Sequence, residues 1–313
     1  MCVKIVDFYE KYDAPIALAL GFFDCIHIGH KRLATQVIEY AQSHNDVQSA
    51  LFTFSNDPNT LFNKTKEIYS FEDRVCVLDN LGIDVIVKAS FNESFMSTSP
   101  RDFLLKLTDN KNIRFIAVGA DYTYGKNAEG NVDLLHDFCN EHGIELCVVP
   151  FEKRGGEKLS TRNLKNLVSS GNVSELDALL SQPYFVKGVV LHAKHNGTEI
   201  GFPTANIAID SNRLPLCDGI YATFTHIDGK AYPSMTNVGA KPTFNDNTPS
   251  IETYIFDFDA DLYGKEIQID FIERTRDIQK FANKQELHNR LQLDERQIRE
   301  ILKNRGTYDN QFK

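Results

Sequence analysis

The pattern of this chain changes once, near residue 182, and that change commits it to two different folds in series. Before it, apolar runs alternate with helix-like segments. Ile16–Leu20, Ser49–Phe54, Asp84–Val87, Ile113–Val118 and Glu145–Val149 read as strands, with Lys31–Ser43, Phe71–Leu81, Pro100–Leu107 and Val132–Glu141 as helices between them. Such alternation builds right-handed βαβ units and a mostly parallel α/β sheet. A helical stretch from about Ser160 to Leu180, broken at Gly171-Asn172, closes this half. Beyond Pro183 six strand-like runs follow without long helices: Val186–Leu191, Thr204–Ile209, Ile220–Ile227, Ala231–Asn237, Thr253–Phe258 and Glu266–Ile272. Asp228-Gly229 between two of them is a hairpin signal, and strands this closely spaced predict an antiparallel barrel or sandwich. Asn283 with Glu286 marks a terminal helix start, and Asp294 with Gln297 offers a second one. The expected domains are residues 1–182 and 183–313.

At 313 residues there is room for two cores, and a net charge of −9 argues against general nucleic-acid binding. No run approaches membrane-spanning length, and the six cysteines lack Cys-x-x-Cys spacing. These features predict a cytoplasmic protein with reduced thiols, a monomer or weak homo-oligomer, without nucleic-acid or membrane partners.

The segment Gly21-Phe22-Phe23-Asp24-Cys25-Ile26-His27-Ile28-Gly29-His30 lies between the first strand and the first helix. Helix N-termini carry unpaired N–H groups and partial positive charge, which suits phosphates. Histidine donates hydrogen bonds to phosphate oxygens and, when protonated, adds charge. Two histidines near a helix start are also common for purely structural reasons. The full string is more specific: it resembles the G-x-F-D-x-x-H-x-G-H form of the H-x-G-H nucleotidyltransferase superfamily. The resemblance implies a Rossmann-like fold and transfer of a nucleotidyl group from a nucleoside triphosphate to a phosphate.

In the second half, Gly201-Phe202-Pro203-Thr204-Ala205-Asn206 places a hydroxyl and an amide oxygen two positions apart at a strand start. Those are hard donors suited to Mg²⁺, and equally what an exposed hairpin start would carry. In Ile251-Glu252-Thr253-Tyr254-Ile255-Phe256-Asp257-Phe258, alternation puts Glu252 on the bulky apolar face. A carboxylate there is costly unless it is paired, functional or reaches solvent at the strand end.

These strings resemble the riboflavin kinase family, together with Gly188-Val189-Val190, Gly219-Ile220-Tyr221-Ala222, Asn237-Val238-Gly239, Pro242-Thr243-Phe244, Asp261-Leu262-Tyr263-Gly264, Arg276 and Lys280-Phe281. The resemblance implies a six-stranded β-barrel that moves the γ-phosphate of ATP to riboflavin. Thr204 and Asn206 would bind Mg²⁺ and nucleotide, with Gly188, Gly201 and Pro203 beside the nucleotide. Glu252 would be the base, and Asn237 and Arg276 would lie on the flavin side.

Both halves in this order resemble the bacterial bifunctional riboflavin kinase/FAD synthetase family. Val118-Gly119-Ala120-Asp121-Tyr122-Thr123-Tyr124-Gly125 resembles its flavin-binding V-G-x-D-F-x-F-G, and Ser160-Thr161-Arg162 resembles its phosphate-holding S-S-T-x-x-R element. Carried over, His27, His30 and Arg162 would stabilise the reacting phosphates. Gly21, Phe22, Asp24, Ser160 and Thr161 would hold the nucleotide, and Asp121 and Tyr124 the flavin. The implied second reaction joins FMN to the adenylyl group of ATP, giving FAD and pyrophosphate. Cys25 stands where Gly is usual, Asn56-Asp57 where Pro-His is usual, and Leu164 where Arg is usual. These departures leave a second reading, a working kinase with a weak or inactive adenylyltransferase half.

Overall fold

A computed structural model describes residues 3–58, 66–150, 153–154, 157–192, 201–240 and 249–305. The Pro242-Thr243-Phe244 part of the kinase pattern lies outside them. Two compact units divide after Thr161, Met1–Thr161 and Arg162–Lys313, where the sequence pattern placed the change at 182.

The first unit runs β1 (Lys4–Asp7), β2 (Tyr12–Leu20), α1 (Ile28–Ser43), β3 (Gln48–Phe54), α2 (Phe71–Asn80), β4 (Val85–Ala89), α3 (Glu93–Met96), α4 (Pro100–Asn110), β5 (Lys111–Gly119), α5 (Val132–His142) and β6 (Glu145–Val149). A short hairpin follows, β7 (Lys153–Arg154) with β8 (Glu157–Lys158). The six longer strands form one parallel sheet in the order β1-β4-β3-β2-β5-β6. Three predicted strands extend beyond their apolar runs, the one predicted over Asp84–Val87 shifts to Val85–Ala89, and Glu145–Val149 is unchanged. Edge strand β1 escaped notice because only Val6 within it is buried. Helix starts follow side-chain chemistry: Ser70 and Asp73 form a reciprocal capping box on α2, Ser99 caps α4 ahead of Pro100, and Asn131 caps α5. An aromatic core of Phe8, Phe52, Phe95 and Phe103 packs one face of the sheet, with Phe8 stacked on Phe103 at 5.8 Å.

The second unit opens with α6 (Thr161–Ser170, its first residue shared with the unit boundary) and α7 (Val173–Asp177). The expected break falls at Gly171, whose φ is +74°, and Asn172 caps α7. Strands β9 (Tyr184–Leu191), β10 (Ala205–Ile207), β11 (Gly219–Ile227), β12 (Lys230–Ala240), β13 (Pro249–Ile255) and β14 (Glu266–Arg276) close an antiparallel barrel in the order β10-β13-β12-β11-β14-β9. Asp228 and Gly229 both take positive φ, as the two-residue β11–β12 turn requires. Strand β13 stops before the predicted Phe258 because Asp257 turns the chain with φ +56°.

The end of the chain carries one helix, α8 (Lys284–Asn304), rather than two. Asn283 caps it as expected. Asp294 does not start a second helix: it is buried mid-helix and bound by Arg276 and Arg290. Ile298 and Leu302 of α8 pack on Ile220, Ala222, Phe224 and Met235 of the outer barrel wall.

Inside the barrel, five fully buried hydroxyls form a closed ring. Thr236 bonds Thr253 (2.9 Å), Thr253 meets Thr225 (3.3 Å), Thr225 meets Ser234 (2.8 Å), Ser234 meets Thr223 (2.8 Å), and Thr223 returns to Thr236 (2.7 Å). A hydroxyl both donates and accepts, so the ring satisfies polar groups that burial would otherwise leave costly.

Candidate active sites

In the α/β unit, the chain leaves β2 toward β3 on one side, while β5 and β6 lie on the other. The carboxyl ends of β2 and β5 are therefore the switch point of the sheet, where open α/β folds place ligands. The loop 21–27 follows β2, and the segment at Asp121 follows β5.

The loop is shaped by Phe23, a residue the sequence did not single out. Its φ of +52° is uncommon for a non-glycine residue, and it turns the ring back over Gly21 and against His30. A Cβ on Gly21 would lie 2.7 Å from that ring, which is why glycine stands there. Cys25 is buried and is not among the positive-φ residues, so its side chain adds bulk without backbone strain.

His27 is the N-cap of α1, which starts earlier than the predicted Lys31 for this reason. Its Nδ1 accepts from the backbone N–H of Gly29 (3.1 Å) and His30 (3.2 Å). An accepting Nδ1 carries no proton, so in the neutral ring the proton sits on Nε2. Burial pushes the His27 pKa down to about 4, against the opposing pull of its own backbone and of Asp121. His27 is thus a neutral donor, where charge was one expectation. Two free N–H groups of the helix are spent on the imidazole, which passes their polarisation on to Nε2–H. The His30 ring stacks on it at 3.6 Å; burial and the neighbouring imidazole hold His30 well below the ordinary histidine range. The Nδ1 of His30 is buried without a hydrogen-bond partner among the described residues.

Asp24 is buried, and Asp121 is exposed at the end of β5, close enough to act on His27. Tyr124 is buried, where Asp121 is exposed. It packs in the core 5.7 Å from the Phe103 ring, beside Cys139, and burial raises its pKa to about 12. Ser160 and Thr161 stand at the N-terminus of α6, and Arg162 opens the second unit on an exposed position. Leu164 is fully buried in the apolar stripe of α6, so its position is a core position in this chain.

On the barrel, Asn206 is directly opposite Glu252, and Glu252 directly opposite Asn237. Opposed residues share a face, so the three polar side chains form a row across β10, β13 and β12. Ile220 continues the row to Arg276. The same outer face carries Phe202, Tyr254 and His288 in edge-to-face contact. Glu252 is half-buried there, and Asn206 donates through Nδ2 to the Thr204 carbonyl (3.4 Å), which turns its Oδ1 away from that bond. The Thr204 hydroxyl, the Asn206 amide oxygen and the Glu252 carboxylate are hard oxygen donors of the kind Mg²⁺ takes.

Arg276 makes a bidentate ion pair with Asp294 (2.6–3.1 Å), which fastens α8 to β14 and commits the guanidinium. Gly188 faces the neighbouring strand: a Cβ there would lie 2.9 Å from the Ala208 carbonyl oxygen. Gly201, at φ +80°, makes the turn ahead of Pro203.

Residues 9–163 match the family model for FAD synthetase, and residues 180–302 match that for riboflavin kinase. The bifunctional riboflavin kinase/FMN adenylyltransferase of Bacillus subtilis is 31% identical over 295 residues, covering 92% of this chain and 93% of that protein. The protein of the same name from Escherichia coli K12 is 28% identical, covering 91% and 92%. A crystal structure described as a macrolide-efflux protein from Streptococcus pneumoniae has a TM-score of 0.85 at 25% identity, covering 95% of this chain and 99% of that one. Among the described residues here, no helix is long and apolar enough to cross a membrane. The chain belongs to the bifunctional riboflavin kinase/FMN adenylyltransferase family.

Proposed function

We propose that the barrel unit phosphorylates riboflavin to FMN and that the α/β unit then joins FMN to the adenylyl group of a second ATP. Two features on one chain support this most: the His27–His30 stack at the sheet's switch point, and Glu252 set between Asn206 and Asn237.

In the first reaction, Glu252 accepts the proton of the 5′-hydroxyl as that oxygen attacks the γ-phosphorus. The bond to the bridging oxygen breaks, and ADP leaves. Thr204 and Asn206 would hold Mg²⁺, which would supply neutralisation of phosphate charge. Asn237 keeps the flavin side of the row, and the turn at Gly201 and Pro203 admits the nucleotide.

In the second reaction, a phosphate oxygen of FMN attacks the α-phosphorus of ATP and pyrophosphate leaves. Phosphate is already a competent nucleophile, so alignment and charge stabilisation carry the step. His27 donates through Nε2–H, and His30 stacks on the His27 ring and holds it in place. Ser160 and Thr161 bind the remaining phosphates, and Asp121 faces the flavin. The described cysteines are all free thiols, which fits a cytoplasmic setting.

The test is incubation with FMN, ATP and Mg²⁺, with flavins separated by chromatography and pyrophosphate measured. FAD and pyrophosphate should form in equal amounts. No FAD from supplied FMN would refute the second activity.

A further inference from the structure

Arg74 on α2 is 1% exposed, and nothing in either proposed reaction uses it. A buried cation is costly unless its donors are met, and here the two Nη groups tie the end of β3 to the nucleotide loop, while Nε has no hydrogen-bond partner among the described residues. Nη1 donates to Thr53 Oγ1 at 2.9 Å and to the Phe22 carbonyl at 3.4 Å, and Nη2 donates to the Phe54 carbonyl at 3.0 Å. Thr53, itself buried at the end of β3, donates its hydroxyl to the same Phe22 carbonyl at 2.5 Å. The Phe22 ring covers the guanidinium at 5.3 Å, and Phe71 approaches it at 5.5 Å. The carboxylates of Asp24, Glu67, Asp57 and Glu72 support its charge against burial.

The carbonyl held in this way belongs to the peptide that joins Phe22 to Phe23. The orientation of that peptide plane sets the φ of Phe23, which is +52°. Such a conformation persists only where its surroundings over-determine it. Phe23 in turn lays its ring 4.8 Å from that of His30. A continuous chain of contacts therefore runs from α2 and β3, through one carbonyl, to the histidine stack.

We propose that Arg74 is a positioning residue for the nucleotide loop, holding the Phe22–Phe23 peptide so that His30 and His27 meet the ATP phosphates. This rests on the reading that the loop binds ATP for adenylyl transfer. Arg74 does not touch substrate; it acts through Phe22, Phe23 and His30, with Thr53 as a second donor to the same carbonyl.

The test compares the wild type with Arg74→Met and Thr53→Val, all as full-length chains. For each, the KM values for ATP and for FMN in FAD formation are measured, with riboflavin phosphorylation as an internal control. Misplaced phosphate-binding groups should raise the KM for ATP about tenfold or more in Arg74→Met. Thr53→Val should shift it in the same direction by less, with the KM for FMN and the kinase rate nearly unchanged in both. A merely structural role would reduce the active fraction and leave the KM for ATP alone. Should Arg74→Met fail to fold, Thr53→Val decides, since it keeps the guanidinium and removes one hydroxyl that donates to the Phe22 carbonyl and accepts from Arg74. An unchanged KM for ATP in folded Thr53→Val overturns the proposal. A wild type that forms no FAD removes the underlying reading and this inference with it; a wild type that forms FAD while the variants match it removes this inference alone.

Discussion

The rings of His27 and His30 stack at 3.6 Å with their planes 14° apart, and the first of them caps the helix that carries the second. One side chain thus starts α1 and fixes its own tautomer, with the proton on Nε2. The geometry leads directly to how this pair responds to pH.

His27 should be neutral, protonated on Nε2, at every pH above about 5 in the unliganded protein, because burial holds its pKa at about 4. Nitrogen-15 NMR of the imidazoles tests this. An Nδ1-protonated ring, or a midpoint near the ordinary histidine value, would contradict the assignment. The linked stability effect has a definite sign. Between the unfolded pKa of about 6.5 and the folded one, the unfolded chain binds the proton first, so His27 destabilises the fold as pH falls through that window.

Capping and catalysis at His27 can be separated. His27→Ala removes the acceptor for two N–H groups and should cost about 1 kcal/mol of stability in denaturant unfolding. His27→Asp restores a cap acceptor but puts negative charge toward the phosphates. It should unfold near the wild type yet lose about 10²–10³ in the rate of FAD formation, as for a lost transition-state donor. FAD formation at the wild-type rate in His27→Asp would show that the residue is only a cap.

Much of this was legible in the sequence. The alternation before residue 182 and the closely spaced strands after it gave both folds, and Asp228-Gly229 gave its hairpin. The nucleotide loop and the Glu252 segment were visible as strings of residues. The burial of Tyr124 and Leu164 was not legible, because it depends on which neighbours fold over a residue, here Phe103 and the stripe of α6. Arg276 and Asp294 form a pair eighteen residues apart, across a strand and a helix, a spacing that no local pattern encodes. Phe23 and Arg74 were missed for a related reason: a backbone dihedral and a buried cation are set by tertiary contacts.

Asp294 is 1% exposed and holds Arg276, itself nearly buried, while Arg290 approaches the same carboxylate at 2.9 Å. Removing one partner of such a pair strands the other charge, so Asp294→Ala should lower stability by about 3–5 kcal/mol. Thermal unfolding followed by circular dichroism checks this. A change well below 1 kcal/mol would show that α8 docks by its apolar stripe alone.

The hydroxyl ring inside the barrel makes a smaller, separate prediction. Thr223 reaches both Ser234 and Thr236, so Thr223→Val leaves buried hydroxyls short of a partner. That should cost about 1–3 kcal/mol, read from the denaturant midpoint. A neutral result would mean that the remaining hydroxyls re-pair without it.

The central claim is that one chain carries two independent active sites, with Glu252 serving only the kinase. The most direct measurement gives Glu252→Gln riboflavin in one assay and FMN in another, each with ATP and Mg²⁺, and separates the flavins. Loss of a general base should lower FMN formation from riboflavin by about 10²–10⁴, while FAD formation from supplied FMN stays near the wild-type rate. Loss of both activities, or retention of both, would contradict the account.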